Sequence, residues 1–151
     1  MKEFVYEFRT RRVRKSMAAE ALAPYGEAHS PRATAEIVRK LTAGEAREYF
    51  VTLFLDVTNA LLGYELTAIG QLEGVHAHPR EIFRTAILTS AAAIVVSHNH
   101  PSGNTTPSDL DKILTTRIRK AGELIGIPML DHVIVTDQAY FSMAESYTEL
   151  P

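Results

Sequence analysis

The sequence predicts a mixed α/β (α+β) domain in which helices alternate with strands and some strands pair antiparallel. Three observations carry this reading. Apolar residues recur at helical spacing in three segments, opened by Ser30-Pro31, His78-Pro79 and Ser108-Asp109. Between them run short stretches rich in aromatic and β-branched residues, such as YFVTLFLDV. The chain has 151 residues, of which 46% are apolar, enough for one domain with a real core.

In chain order, residues 3–15 alternate, with Phe4, Tyr6 and Phe8 on one side and Val5, Glu7 and Arg9 on the other, and read as a strand. This strand runs into the basic stretch RTRRVRK. Such a run suits a solvated strand edge, where charge discourages edge-to-edge pairing. Its alternative is contact with an acidic partner or nucleic acid. Residues 17–30 mix Ala, Pro, Gly and Ser without periodicity and read as a linker. Ser30 as N-cap and Pro31 at the first helical position open a helix to about Thr42. Ala35, Ile37, Val38 and Leu41 should face inward, and Gly44 should end it.

YFVTLFLDV is a buried strand, Thr58-Asn59 a turn, and LLGYELTAIG a second strand. His78-Pro79-Arg80-Glu81 starts a second helix, with Ile82, Phe83, Ala86 and Ile87 at helical spacing. Residues 92–97 form a short central strand. Ser108 starts a third helix, to about Ile125, with an apolar stripe of Leu110, Ile113, Leu114, Ile118, Ala121 and Leu124. Gly126 stops it. MLDHVIVTD and AYFS are strands around a turn at Asp137-Gln138.

Composition removes several function classes. With no cysteine, disulfides, thiol catalysis and Cys-based zinc fingers are excluded. A net charge of −2 argues against a dedicated nucleic-acid binder. Glu3, Glu7 and Arg9 interrupt any apolar leader, and no run of about 18 apolar residues exists to span a membrane. The expectation is a soluble cytoplasmic protein without membrane contact. There is no H-E-x-x-H, P-loop, Rossmann fingerprint or G-x-S-x-G elbow.

The informative segment is SHNHPSGNTTPSDLD, residues 97–111, directly after a buried strand. Residues two apart in extended chain point the same way, so His98 and His100 present both imidazoles to one side. Neutral imidazole is the commonest metal ligand. A carboxylate in the first turn of the returning helix would complete two His, one acid and an open position, the arrangement catalytic zinc needs. The same residues also read as a helix start, because Ser-x-x-Asp is a capping signature. Spacing alone leaves both readings open. It also leaves Asp109 and Asp111 as rival acids, about 200° apart around the helix. His76 and His78 form a second His-x-His pair, but Pro79 marks His78 as a helix-start residue. His132, beside Asp131 in a strand, reads as structural or as a support behind the metal ligands.

His98, His100, Ser108 and Asp111 fill the places of the JAMM motif of MPN-domain metalloproteases, which this segment resembles. More narrowly, HNHPSG followed by TPS, HPREIF at 78–83, AGELIGI at 121–127 and LDHVIV at 130–135 resemble the RadC family of bacteria. The resemblance covers residues 31–146, leaving 1–30 as an N-terminal strand and linker and 147–151 as a tail. It implies a single MPN/JAB-like domain of cytidine-deaminase-like architecture, with a mostly antiparallel central sheet flanked by about three helices.

The resemblance further implies zinc as cofactor, with His98, His100 and Asp111 as ligands in preference to Asp109. An upstream glutamate acts as base in this family, and Glu48 fits its place among Glu45, Glu65, Glu73 and Glu81. Asn99 stands between the histidines where the peptidase branch usually has Ser or Thr, which favours the RadC-like subfamily and weakens transfer of ubiquitin-isopeptidase activity. Longer relatives carry a helix-hairpin-helix region for which the first 30 residues are too few.

The implied reaction is hydrolysis of a peptide or isopeptide bond in a peptide or protein substrate. Zinc would lower the pKa of a water toward about 7, Glu48 would relay its proton to the leaving amine, and Ser108 would bond the oxyanion. The rival expectations are a non-catalytic MPN scaffold, a DNA-associated module linked to DNA repair, and a metal-dependent nuclease. Any nucleic-acid contact through RTRRVRK should be weak. The oligomeric state is not legible in the sequence.

Overall fold

The structure, a computed structural model, describes residues 30–70 and 77–151. The expected strand and basic run at 3–15, most of the linker, Glu73 and His76 lie outside the described residues. The described chain runs α1 (Pro31–Leu41), β1 (Tyr49–Leu55), β2 (Leu61–Ile69), α2 (Pro79–Leu88), β3 (Ala93–Asn99), α3 (Asp109–Ile125), β4 (Met129–Val135), β5 (Tyr140–Ser142) and α4 (Met143–Ser146).

The five strands form one sheet in the order β2-β1-β3-β4-β5. Only β3 and β4 run parallel, and the other neighbouring pairs are antiparallel. This is the mixed, mostly antiparallel sheet expected. β1 and β3 are buried along their whole length, as continuous apolar runs require when both faces are covered. The β1–β2 hairpin turns at Asp56, whose Oδ1 accepts from the Thr58 N–H at 2.8 Å and the Ala60 N–H at 3.0 Å, while Asn59 takes φ 62°.

Strand alternation divides the core. On one face Val51, Leu53, Leu55, Val95, Val133 and Val135 pack against Ala35, Ile37 and Val38 of α1. On the other, Phe50, Phe54, Ile94 and Val96 pack against Ile82, Phe83 and Ala86 of α2 and Ile118 of α3. α1 starts at Ser30, whose hydroxyl accepts from the Ala33 N–H at 3.2 Å, with Pro31 following. His78 caps α2 through Nδ1, which accepts from the Arg80 N–H at 3.2 Å, so this histidine is the helix-start residue expected.

Two expectations are corrected. Ile87, assigned inward on α2, is exposed. On α3, Leu110, Ile113 and Leu124 are also exposed, while the helix turns Thr115, Ile118 and Gly122 to the core. The cause is rotation. Asp111 and Thr115 lie one turn apart on the face that meets the histidines, and turning them inward carries part of the apolar stripe out. Close packing fixes that rotation, since a Cβ on Gly122 would meet the Ile127 carbonyl oxygen at 2.5 Å and the Phe83 ring at 3.1 Å. A short helix not expected from the sequence, α4, follows β5. Its N-cap Ser142 and the Ala144 N–H both bond the buried Asp131 carboxylate, at 2.6 Å and 2.9 Å. No helix among the described residues is long and apolar enough to cross a membrane.

Candidate metal centre

The site forms where β3 ends and the crossover helix α3 begins. His98 continues the Ile94, Val96 face of β3, so it points to the α2/α3 side and is buried between Phe50 of β1 and His132 of β4. The Phe50 ring stacks on it at 6.1 Å, tilted by 11°. His100 lies two residues on, past the strand, and its backbone N–H still bonds the Val135 carbonyl at 2.8 Å. Its Nδ1 sits 2.6 Å from the Asn104 carbonyl. A carbonyl only accepts, so Nδ1 carries the proton and Nε2 keeps a free lone pair.

The loop then brings back α3. Ser108 and Asp111 form a reciprocal cap: the Ser108 hydroxyl accepts from the Asp111 N–H at 3.2 Å, and Asp111 Oδ2 accepts from the Ser108 N–H at 2.8 Å and its hydroxyl at 2.6 Å. Oδ1 is left to face the histidines, 3.2 Å from His98 Nε2. His100 Nε2 is 3.9 Å from Oδ2 and 2.9 Å from His98 Nε2. The capping reading of the Ser-x-x-Asp signature therefore holds and leaves room for the metal reading, because the cap uses one carboxylate oxygen and leaves the other. Asp109 goes elsewhere: its side chain is 94% exposed and bonds Lys112 at 3.2 Å, whereas that of Asp111 is 16% exposed.

One ligand atom from each of His98, His100 and Asp111 lies within 4.8 Å of the others. The donor set fits a metal ion. Two imidazole nitrogens and a carboxylate oxygen converge from one side, His100 offers a lone pair, and a divalent borderline ion such as zinc takes this mixture. Burial, His132 and His100 push the His98 pKa well below its ordinary value, with Asp111 pulling the other way. Burial thus favours the neutral ring, the form that ligates.

Glu48 precedes β1. Phe50 pairs with His98 in the antiparallel β1–β3 ladder, so continuing the register two residues sets Glu48 across from His100. Its carboxyl is electrostatically coupled to the site: burial pushes its pKa up, His100 offsets part of this, and Asp111 pushes it further up. The competing glutamates have other partners or settings. Glu45 accepts from the Tyr49 hydroxyl at 2.7 Å, Glu81 pairs with Arg84 at 2.9 Å, and Glu65 sits on β2 opposite Thr52.

Three features escaped the sequence reading. The Asn99 side chain points away from the histidines and brackets Glu48, accepting from the Tyr49 N–H at 2.7 Å and donating to the Arg47 carbonyl at 3.1 Å. A carboxamide can do both because it carries the donor and acceptor of a peptide group. Thr115 lies behind Asp111, and the i, i+4 spacing was the available signal. The third is a groove of about 500 Å³ that borders His100 and Asn99, walled by Arg39, Glu45, Thr136 and Asp137. Neither His98 nor Asp111 lines it, so it adjoins the ligand cluster without enclosing it.

Comparison with known proteins shows the family. The family model described as the RadC-like JAB domain matches residues 28–148. A UPF0758 protein of Shouchella clausii is 40% identical over 116 residues, covering 77% of this chain and 50% of the relative. One from Photorhabdus laumondii is 41% identical over 116 residues, with the same coverage, 77% and 50%. One from Methanosarcina acetivorans is 42% identical over 101 residues, 67% of this chain and 44% of the relative. The chain spans about half the length of the curated relatives it matches, and their names state no activity.

Proposed function

The chain belongs to the RadC-like JAB domain family, and from that membership and its donor cluster we propose that it is a zinc-dependent hydrolase of peptide or isopeptide bonds. The single observation behind this is the convergence of His98, His100 and Asp111 from two elements onto one point. These three residues would hold the ion. Zinc, when bound, supplies Lewis-acid polarisation of the scissile carbonyl and an acidified water.

The remaining work falls to the chain's own groups. Glu48 accepts the proton of the attacking water and returns it to the leaving amine nitrogen. Its carboxyl, raised by burial, is suited to giving the proton back as well as taking it. Ser108 would turn its hydroxyl from Asp111 Oδ2 to the developing oxyanion, while its backbone N–H, 2.8 Å from that oxygen, keeps the carboxylate in place. The Asn99 carboxamide holds the backbone on both sides of Glu48, fixing where the base sits.

The test is chelation and restoration. The purified full chain is incubated with a mixture of amide-linked peptides, and cleavage is followed by mass spectrometry. Cleavage that chelator removes and zinc restores is the expected result. Cleavage indifferent to chelator, or none by the zinc-loaded chain, would overturn the reading.

A further inference from the structure

Behind the ligand cluster lies a second set of buried polar groups, His132 and Thr115, from strand and helix neighbours of the ligands. Both are fully buried. The parallel β3–β4 register pairs Val96 with His132, so His132 shares the face of His98. Thr115 stands one turn after Asp111 on α3.

The contacts form one chain. Thr115 Oγ1 is 2.7 Å from the Asp111 carbonyl oxygen and 2.6 Å from His132 Nδ1. His132 Nε2 is 2.8 Å from His98 Nδ1. Its direction follows from valence. The Asp111 carbonyl only accepts, and a helical threonine back-bonds to the carbonyl one turn before, so the one Thr115 hydroxyl proton is placed there. The Met143 sulfur, at 3.3 Å, is the weaker acceptor, and donation to it would equally leave the Thr115 oxygen to accept. Thr115 oxygen must then accept from His132, which puts the proton on His132 Nδ1. Both rings are buried away from water, which favours the neutral form. Neutral His132 has a bare Nε2, which accepts from His98 Nδ1–H. Neutral His98 is left with its lone pair on Nε2, facing the His100 Nε2 lone pair and Asp111 Oδ1, so that no hydrogen bond joins these three acceptors and a cation is what satisfies them together.

Resting on the reading of this cluster as a metal site, we propose that His132 and Thr115 are positioning residues that lock His98 in its Nδ1–H tautomer and so present the Nε2 lone pair to the ion. The chain begins at one ligand's ring and ends at the backbone of another, so it also ties β3 to α3. The Phe50 ring, stacked on His98 and set edgewise to His132 at 5.6 Å and 67°, holds the two imidazole planes. Support of this kind behind a ligating histidine is worth on the order of 10–100-fold in metal affinity.

The test uses the full chain labelled with ¹⁵N-histidine, with and without zinc, at neutral pH. Long-range proton–nitrogen correlation assigns each ring's tautomer, and competition with a chelating dye gives the zinc affinity. Nδ1–H is expected on both His98 and His132 in the metal-free chain. Thr115→Val, of the same shape but unable to accept, should shift His132 toward its Nε2–H tautomer and weaken zinc binding about 10–100-fold. Thr115→Ser should restore both, which a purely structural loss would not require. Nε2–H on His98 in the metal-free wild type would overturn the proposal, as would Thr115→Val with wild-type tautomers and affinity. A wild-type chain with these tautomers that binds no zinc would instead overturn the metal reading.

Discussion

Asp111 serves two purposes with two oxygens. Oδ2 closes the helix cap with Ser108, and Oδ1 faces His98. Asp111→Asn should therefore lose zinc and also weaken the start of α3, by about 1 kcal/mol for the cap. Asp109→Asn should change zinc binding little, because that side chain is turned to solvent. Isothermal zinc titration with urea unfolding of both variants separates the two effects. Zinc loss in Asp109→Asn with retention in Asp111→Asn would mean the wrong acid has been assigned. Glu48→Gln should keep zinc and abolish turnover, since a base is needed for proton transfer and not for ligation. Zinc content beside cleavage rate checks this, and a Glu48→Gln chain that still turns over would remove Glu48 from the reaction. The pairing of His98 with His100 is legible from strand alternation alone. The role of Asn99 is not, because its partners, Arg47 just before β1 and Tyr49 at its first residue, lie 52 and 50 residues away.

At the scale of elements, α3 is the instructive case. Its existence and both its ends follow from local chemistry, Ser108 at the start and Gly126 in the left-handed region at the stop, φ 82°. Its rotation does not. An apolar stripe predicts the buried face only when nothing polar must face inward, and here Asp111 and Thr115 must. The exposed Leu110, Ile113 and Leu124 are the residue of that conflict. The short α4 was hidden for a related reason. Its cap, Ser142 accepting from the Glu145 N–H at 3.1 Å, is a local Ser-x-x-Glu signature, but its hold on the buried Asp131 carboxylate is a tertiary contact that no local pattern reveals. The α3 account makes Gly122 a packing position. Gly122→Ala, normally favourable in a helix, should here destabilise the fold by about 1–3 kcal/mol through overpacking against the Ile127 carbonyl. Urea denaturation would show a lower midpoint, and a rise would contradict the close approach.

The molecule as a whole stores acid sensitivity in its buried histidines. Burial, with a contribution from His100, pushes the His132 pKa down to about 3 from its ordinary 6.5. Below 6.5 the unfolded chain takes up a proton that the folded chain refuses, so stability falls as pH drops from 6.5 toward 3. Each such histidine adds a slope of up to about 1.4 kcal/mol per pH unit. Chelator-treated protein should therefore unfold at lower urea at pH 5 than at pH 7, with the slope reduced in His132→Gln; equal midpoints would contradict the neutral buried state. The fold class and the ends of most elements were readable because each rests on nearby residues. The sheet order, which sets His98 between Phe50 and His132, rests on long-range pairing.

The central claim is that His98, His100 and Asp111 hold a metal, and elemental analysis tests it most directly. His100 is the ligand to remove, since it lies outside the packed core that surrounds His98 and its loss should spare the fold. After dialysis against zinc and then buffer, the wild-type chain should carry about one zinc and His100→Ala almost none, with matching circular dichroism spectra. A wild-type chain without zinc, or a folded His100→Ala that keeps its full complement, would contradict the account.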